Sequence, residues 1–200
     1  MVRDPEAYWR SSGWGPEWRF PTTRADGEPL ELALRVPGGW EAFDVMKRPV
    51  GNAATTGPLA AAVGPLARGI EAAGVIAVIG IAHPLARKGA TDAHVFATLT
   101  VALGDVAGAF PESVPGAEVA PVEFRHPEGS YRGVRISRVS GTLAVQYLLR
   151  TEHGVLAITF TTPQVDVFER LGELFDKVAA TCSLAPSPNT KSPWPGGRPA

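Results

Sequence analysis

The chain has 200 residues and a formal net charge of −1 at pH 7, with 19 Lys and Arg against 20 Asp and Glu. Charge this balanced lacks the electrostatic footprint of a nucleic-acid binder, and the length suits one domain with its own core and some loose ends. The single cysteine, Cys182, excludes an intramolecular disulfide and CxxC-type zinc or redox sites.

Arg outnumbers Lys, and Ala, Gly and Pro abound, as in GC-rich bacterial coding. Residues 1–28 are polar and rich in turn formers. They carry Trp9, Trp14 and Trp18, three of the five tryptophans. This stretch has no apolar h-region, which leads to the expectation of a cytoplasmic protein. It is expected to be an N-terminal arm. Exposed indoles favour burial, so the arm either packs its rings on its own domain or presents them to a partner.

Residues 29–184 read as one α+β domain. In "LELALRVPGGW", Leu30, Leu32, Leu34 and Val36 alternate with Glu31, Ala33 and Arg35, the pattern of a half-buried strand. Pro37, Gly38 and Gly39 end it before Trp40. A second strand continues through Phe43 and Val45, and Pro49 stops it. In Gly57–Gly74, Leu59, Val63, Leu66 and Ile70 follow helical spacing, with a break at Pro65.

"VIAVIGIA" (Val75–Ala82) is β-branched without alternation, hence a strand covered on both faces. It is too short to span a bilayer, which takes about 20 apolar residues. His94–Gly104 reads as its neighbour, across a polar turn at His83–Asp92. Glu118–Phe124 reads as a short strand that Pro121 confines to a sheet edge.

Three segments, Tyr131–Val139, Thr142–Thr151 and Val155–Thr162, then form an antiparallel meander joined by short turns. Pro163 opens a helix capped by Thr162. Val165, Phe168, Leu171, Phe175, Val178 and Cys182 form its apolar stripe, with Asp166, Glu169, Arg170, Glu173, Asp176 and Lys177 mostly off it. That phase makes Cys182 a buried small hydrophobe. Residues 185–200 carry five prolines and no apolar period, and are expected to be a disordered or polyproline-like tail.

The order of these elements, the Pro37-Gly38-Gly39-Trp40 turn and the closing hairpin that runs through Thr161-Thr162-Pro163 into a helix ending near Ala180–Leu184 resemble the Mog1/PsbP-like superfamily. The resemblance implies an antiparallel β-sheet flanked by helices on both faces, an α/β/α sandwich. It also implies a non-catalytic role, since that superfamily is known mainly for binding and accessory proteins. Fold alone does not assign function.

Local signatures of catalysis are missing. His83, His94, His126 and His153 form no HxH or HExxH, and each except His94 is read as a solvated loop residue. There is no GxSxG elbow and no glycine-rich phosphate loop. Glu123, Glu128 and Glu152 are scattered. No catalytic residue, metal site or cofactor is therefore expected. Arg125, Arg132, Arg135 and Arg138 crowd into fourteen residues, with Arg150 on the paired strand. Alternation puts Arg132 and Arg138 on one face and Arg135 on the other. Such charge either protects an exposed strand from aggregation or docks an acidic or phosphorylated group.

The sequence thus leads to a partner-binding or accessory protein, with no nucleic acid and no membrane span. Trp9, Trp14, Trp18, Arg132, Arg135 and Arg138 are the candidate contacts. A small-molecule binder or enzyme with a dispersed site walled by Trp40, His94 and Tyr147 is the alternative. A purely structural homo-oligomer is a third reading.

Overall fold

The fold is described from a computed structural model, over residues 13–24, 26–38, 40–44, 75–84, 94–104, 109–126, 129–138, 143–162 and 165–187. Ten strands and one helix are found among these residues. In chain order they are β1 (Trp14–Thr23), β2 (Pro29–Pro37), β3 (Glu41–Asp44), β4 (Val75–Pro84), β5 (His94–Gly104), β6 (Ala117–His126), β7 (Gly129–Arg138), β8 (Leu143–Thr151), β9 (Gly154–Thr162), α1 (Val165–Thr181) and β10 (Ser183–Pro186). They build a three-stranded sheet of order β1-β2-β10 and a seven-stranded sheet of order β3-β4-β5-β9-β8-β7-β6. The pairings in both sheets are antiparallel.

The small sheet grows from the alternation in β2. Leu30, Leu32, Leu34 and Val36 are buried, while Glu31, Ala33 and Arg35 lie on the other face. On β1, Phe20 is buried and Trp18 packs partly into the core, their rings stacked with centroids 6.3 Å apart. Trp14–Thr23, expected to belong to an arm, therefore pairs with β2 from Trp14↔Pro37 to Thr23↔Pro29. At the other end of the domain, Ala185 and Pro186 of the expected tail pair with Glu31 and Leu30. Trp9, the expected helix at Gly57–Gly74, most of the turn after His83 and the tail beyond Ser187 lie outside the described residues.

The large sheet holds the legible hairpins. On β8, Leu143, Val145, Tyr147 and Leu149 are buried on one face, and on β9 Leu156, Ile158 and Phe160 match them. β4 is buried on both faces, with Ala77, Val78, Ile79 and Ile81 all inaccessible. β6 takes the sheet edge, where Pro121 costs no ladder hydrogen bond. A two-residue turn, Glu152-His153, joins β8 to β9. Gly154 follows with φ 143°, and a Cβ there would stand 2.7 Å from the Gly104 carbonyl oxygen, so the position demands glycine.

α1 buries Phe168, Leu171, Leu174, Phe175, Val178 and Ala179, touching β2 of the small sheet and β6, β8 and β9 of the large one. Phe175 stacks on Phe160 at 4.5 Å, and Phe160 meets Tyr147 edge-on at 6.0 Å. Each fully buried ring contributes about 2–3 kcal/mol relative to exposure. Cys182, one residue beyond α1, is wholly buried, and its thiol is pushed up to about 12 by that burial.

An antiparallel sheet carrying a packed helix agrees with the α+β expectation. Among the described residues the architecture is more sheet-rich than the expected sandwich with helices on both faces. One helix packs on the large sheet, and the layer that shares its core is a second sheet. The reason is the amphipathic alternation of β2, which gains two partners, β1 and β10, that were expected to be arm and tail.

Candidate binding site

β7 carries three of the expected contact residues and presents them in different settings. Its register places Arg132 opposite Arg150 and Arg135 opposite Tyr147 on β8, while Arg132 faces Glu123 on β6. Strand alternation then divides the arginines.

Arg135 turns toward α1. Its side chain is only 23% exposed, and its Nη1 donates to Ser137 Oγ at 2.6 Å. Its Nε lies 3.1 Å from Asp176 Oδ1, close enough for an ion pair although its N–H is not aligned for a hydrogen bond. The Tyr147 hydroxyl donates to the same carboxylate oxygen at 2.5 Å. Burial, reinforced by the Asp176 hydrogen bond, pushes the Tyr147 phenol far above its usual range, so the hydroxyl stays a donor. This cluster pins α1 to the sheet. It places Arg135 in the scaffold, and it makes Tyr147 a core residue rather than the wall of a ligand site.

Arg132 and Arg150 face away from the helix. Arg132 is 78% exposed, with its Nε 3.2 Å from Glu123 Oε1. The Arg150 guanidinium sits over the Phe110 ring, 5.3 Å from its centroid. Arg125 is exposed one residue pair further along the same face. Two guanidinium groups at directly opposed positions repel one another, and the Glu123 carboxylate beside Arg132 offsets part of that cost. The backbone of Arg138 pairs with Ala117 and Ala144, and its side chain lies outside the described residues.

Trp14, Trp18 and Trp40 do not join this surface. Trp14 is 46% exposed. It pairs with Pro37, roughly 26 Å along β2 from the end nearest the arginines at about 3.3 Å per residue. Trp18 is packed against the core. Trp40 is buried as well.

Where the two sheets meet, a groove of about 520 Å³ opens between Gly129–Arg132, Arg150–His153 and Leu184–Pro186. Its base is a hydrogen-bonded link between the sheets. The Tyr131 hydroxyl accepts from the Leu184 N–H at 3.1 Å and donates to the Leu184 carbonyl at 3.2 Å. That hydroxyl takes the place of a neighbouring strand at the edge of β10. His153, expected in solvent, is only 14% exposed instead. Its buried Nδ1 has no hydrogen-bond partner and lies 3.8 Å from Glu28 Oε2. The short turn forces it inward against the β1–β2 hairpin. The side chains of His83, His94 and His126 lie outside the described residues.

The sequence could not single out this groove, because β10 looked like tail and Tyr131 like an ordinary strand residue. Among the described residues no group of three His, Cys, Asp or Glu side chains could hold a metal ion, and no helix is long and apolar enough to cross a membrane.

No family model and no curated protein matches the chain. Among solved structures it is similar to the solution structure of cyanobacterial PsbP (CyanoP) from Synechocystis sp. PCC 6803. The two are 11% identical over 84% of this chain and 91% of that one, with a TM-score of 0.37. A superposition that loose transfers no property, and function is read from this chain's own residues.

Proposed function

We propose that this chain is a non-catalytic partner-binding protein that receives an acidic segment of another protein on the outer face of β6–β8. The observation that carries the reading is the opposition of Arg132 and Arg150 across β7 and β8 on an exposed face. Arg125 adds a third positive charge there, and Glu123 supplies the carboxylate beside Arg132. The apolar row next to them, Val134 and Leu148, is only half-buried and gives such a segment something to cover. The sequence resemblance to the Mog1/PsbP-like superfamily, carried by the closing hairpin and helix, supports an accessory role. Trp14 is a candidate for a second, separate contact.

The test is affinity capture with three baits: the wild type, a double variant Arg132→Glu/Arg150→Glu, and a control, Arg19→Glu, on the small sheet. The expected result is a protein retained by the wild type and the control and lost from the double variant. Identical capture by all three baits would refute the reading.

A further inference from the structure

The seam between the two sheets brings two turns together, each braced by its own hydrogen bonds. In the β8–β9 turn the His153 N–H donates to Thr151 Oγ1 at 3.1 Å, and Thr151 Oγ1 donates to the Gly154 carbonyl at 2.9 Å. In the β1–β2 turn the Arg24 N–H donates to the Glu28 carbonyl and the Gly27 N–H to the Arg24 carbonyl, each at 2.9 Å. Arg24 Nη1 lies 3.0 Å from Glu28 Oε2, and the Glu28 N–H donates to Asp26 Oδ1 at 3.2 Å. The His153 imidazole lies between these two braced segments. Its Nδ1 is buried, has no hydrogen-bond partner and stops 3.8 Å short of Glu28 Oε2.

A buried polar atom without a partner carries a desolvation cost that a hydrogen bond would remove. A neutral imidazole has one N–H and one acceptor nitrogen, whereas the protonated ring has an N–H at both positions. Protonation therefore makes Nδ1 a donor, whichever nitrogen carried the proton before. A carboxylate has lone pairs for several donors, so Glu28 can accept from His153 and keep Arg24. Closing the gap to a charge-assisted length of about 2.8 Å takes a side-chain movement of about 1 Å. The other charged groups around the ring are Glu152 on its own turn, Arg150 on β8, Arg132 on β7, and Arg24 and Asp26 beside Glu28. The β10 residues that line the same groove, Leu184, Ala185 and Pro186, bring none. We infer that His153 is a pH-sensitive clamp between the two sheets: protonated, it donates to Glu28 and ties the β8–β9 turn to the β1–β2 turn, and neutral, it leaves them unbonded. The contact forms as pH falls across the span of about pH 8 to 5 in which imidazoles change charge, and it is lost as pH rises. The clamp uses none of the arginines of the proposed docking face and needs no partner.

The test is NMR of the full chain from about pH 8 to about pH 5, following the imidazole signals and the amides of 24–29 and 151–154. The His153 ring and the amides of 24–29 are expected to titrate together with one midpoint, and a slowly exchanging Nδ1–H signal to appear at the acid end. Asp26, held down at about 2, does not titrate in this window. Glu28→Ala removes the acceptor from a partly exposed position and leaves Arg24 to Asp26. It is expected to abolish the Nδ1–H signal and to uncouple the amides of 24–29 from the ring. His153→Gln, which cannot titrate, should remove the amide response and identifies the ring signal. Unchanged amides along β5 and β9 show that both variants keep the fold. A ring that titrates while the amides of 24–29 stay still, an Nδ1–H signal that survives Glu28→Ala, or no titration of His153 in this window would each overturn the inference. No partner or ligand enters the experiment, so its failure is distinguishable from failure of the capture experiment.

Discussion

The outer faces of the two sheets use the same residue types to opposite ends. On the small sheet, Arg19 pairs with both Glu17 and Glu31 at 2.6 Å, and Arg35 reaches Glu17 at 3.3 Å. Its hairpin turn repeats the theme, with Arg24 held between Asp26 and Glu28. Here each of these arginines stands beside a carboxylate, and the surface is electrically closed. On the large sheet, Arg132 stands beside one carboxylate and opposite another arginine. Exposed pairs contribute little to stability in either place. The difference lies in how the arginines are set: the first surface alternates them with carboxylates, while the second places two of them directly opposite one another. Cross-strand register, more than arginine content, makes the difference.

If register makes the large-sheet surface, breaking it should have the largest effect. Gly133 sits between Arg132 and the rest of β7, and a Cβ there would meet the Leu148 carbonyl oxygen at 1.7 Å, a backbone clash that no rotamer relieves. Gly133→Ala is expected to cost about 3–5 kcal/mol, read by denaturant titration. A loss below about 1 kcal/mol would mean that β7 and β8 slide freely and that the opposition of the arginines is not imposed by the fold.

A smaller effect belongs to the link between the sheets. Tyr131→Phe removes the partner of both the N–H and the carbonyl of Leu184. Leaving these groups unsatisfied should cost about 1–3 kcal/mol and raise hydrogen exchange at Leu184 and along β10 before it does so in β8. Uniform loss of protection would show that the two sheets open as one unit.

The smallest effect belongs to the charged turn of the small sheet and is produced by acid. The Arg24 hydrogen bond holds the Asp26 carboxyl down at about 2. Its folded value lies below the unfolded value of about 3.9. Its contribution is therefore present above the unfolded value and is lost as pH falls from there through about 2. The β1–β2 hairpin should loosen over that window, seen as rising amide exchange at residues 23–29, and Asp26→Asn should remove the dependence.

Some of this molecule was legible because the physics is local. Leu30, Leu32, Leu34 and Val36 alternate with polar neighbours, and a strand with one wet face follows wherever it is placed. The stripe through Phe168, Leu171, Phe175 and Val178 likewise dictates a helix that must bury one side. Pro121 could sit only at an edge, and β6 is at the edge. β1 was not legible, because Pro16 and Pro21 interrupt its pattern and its strand state depends on pairing with β2. Nor was β10, four residues long, whose hydrogen bonds come from β2 and Tyr131.

The candidate sites divide in the same way. That arginines cluster on β7, and that Arg132 and Arg135 take opposite faces, follows from a period of two residues and needs no coordinates. Which of them is available does not. Arg135 is absorbed by Asp176 and Tyr147 because α1 folds back over that face. Arg132 meets Arg150 because the β7–β8 register aligns them, and the groove exists because β10 closes beside Tyr131. Sequence by itself determined the faces of each element, since side-chain direction is a local property of backbone geometry. The tertiary structure alone decided which arginines are drawn under the helix and which stand opposite one another on an exposed face, since that depends on contacts between residues far apart in the chain.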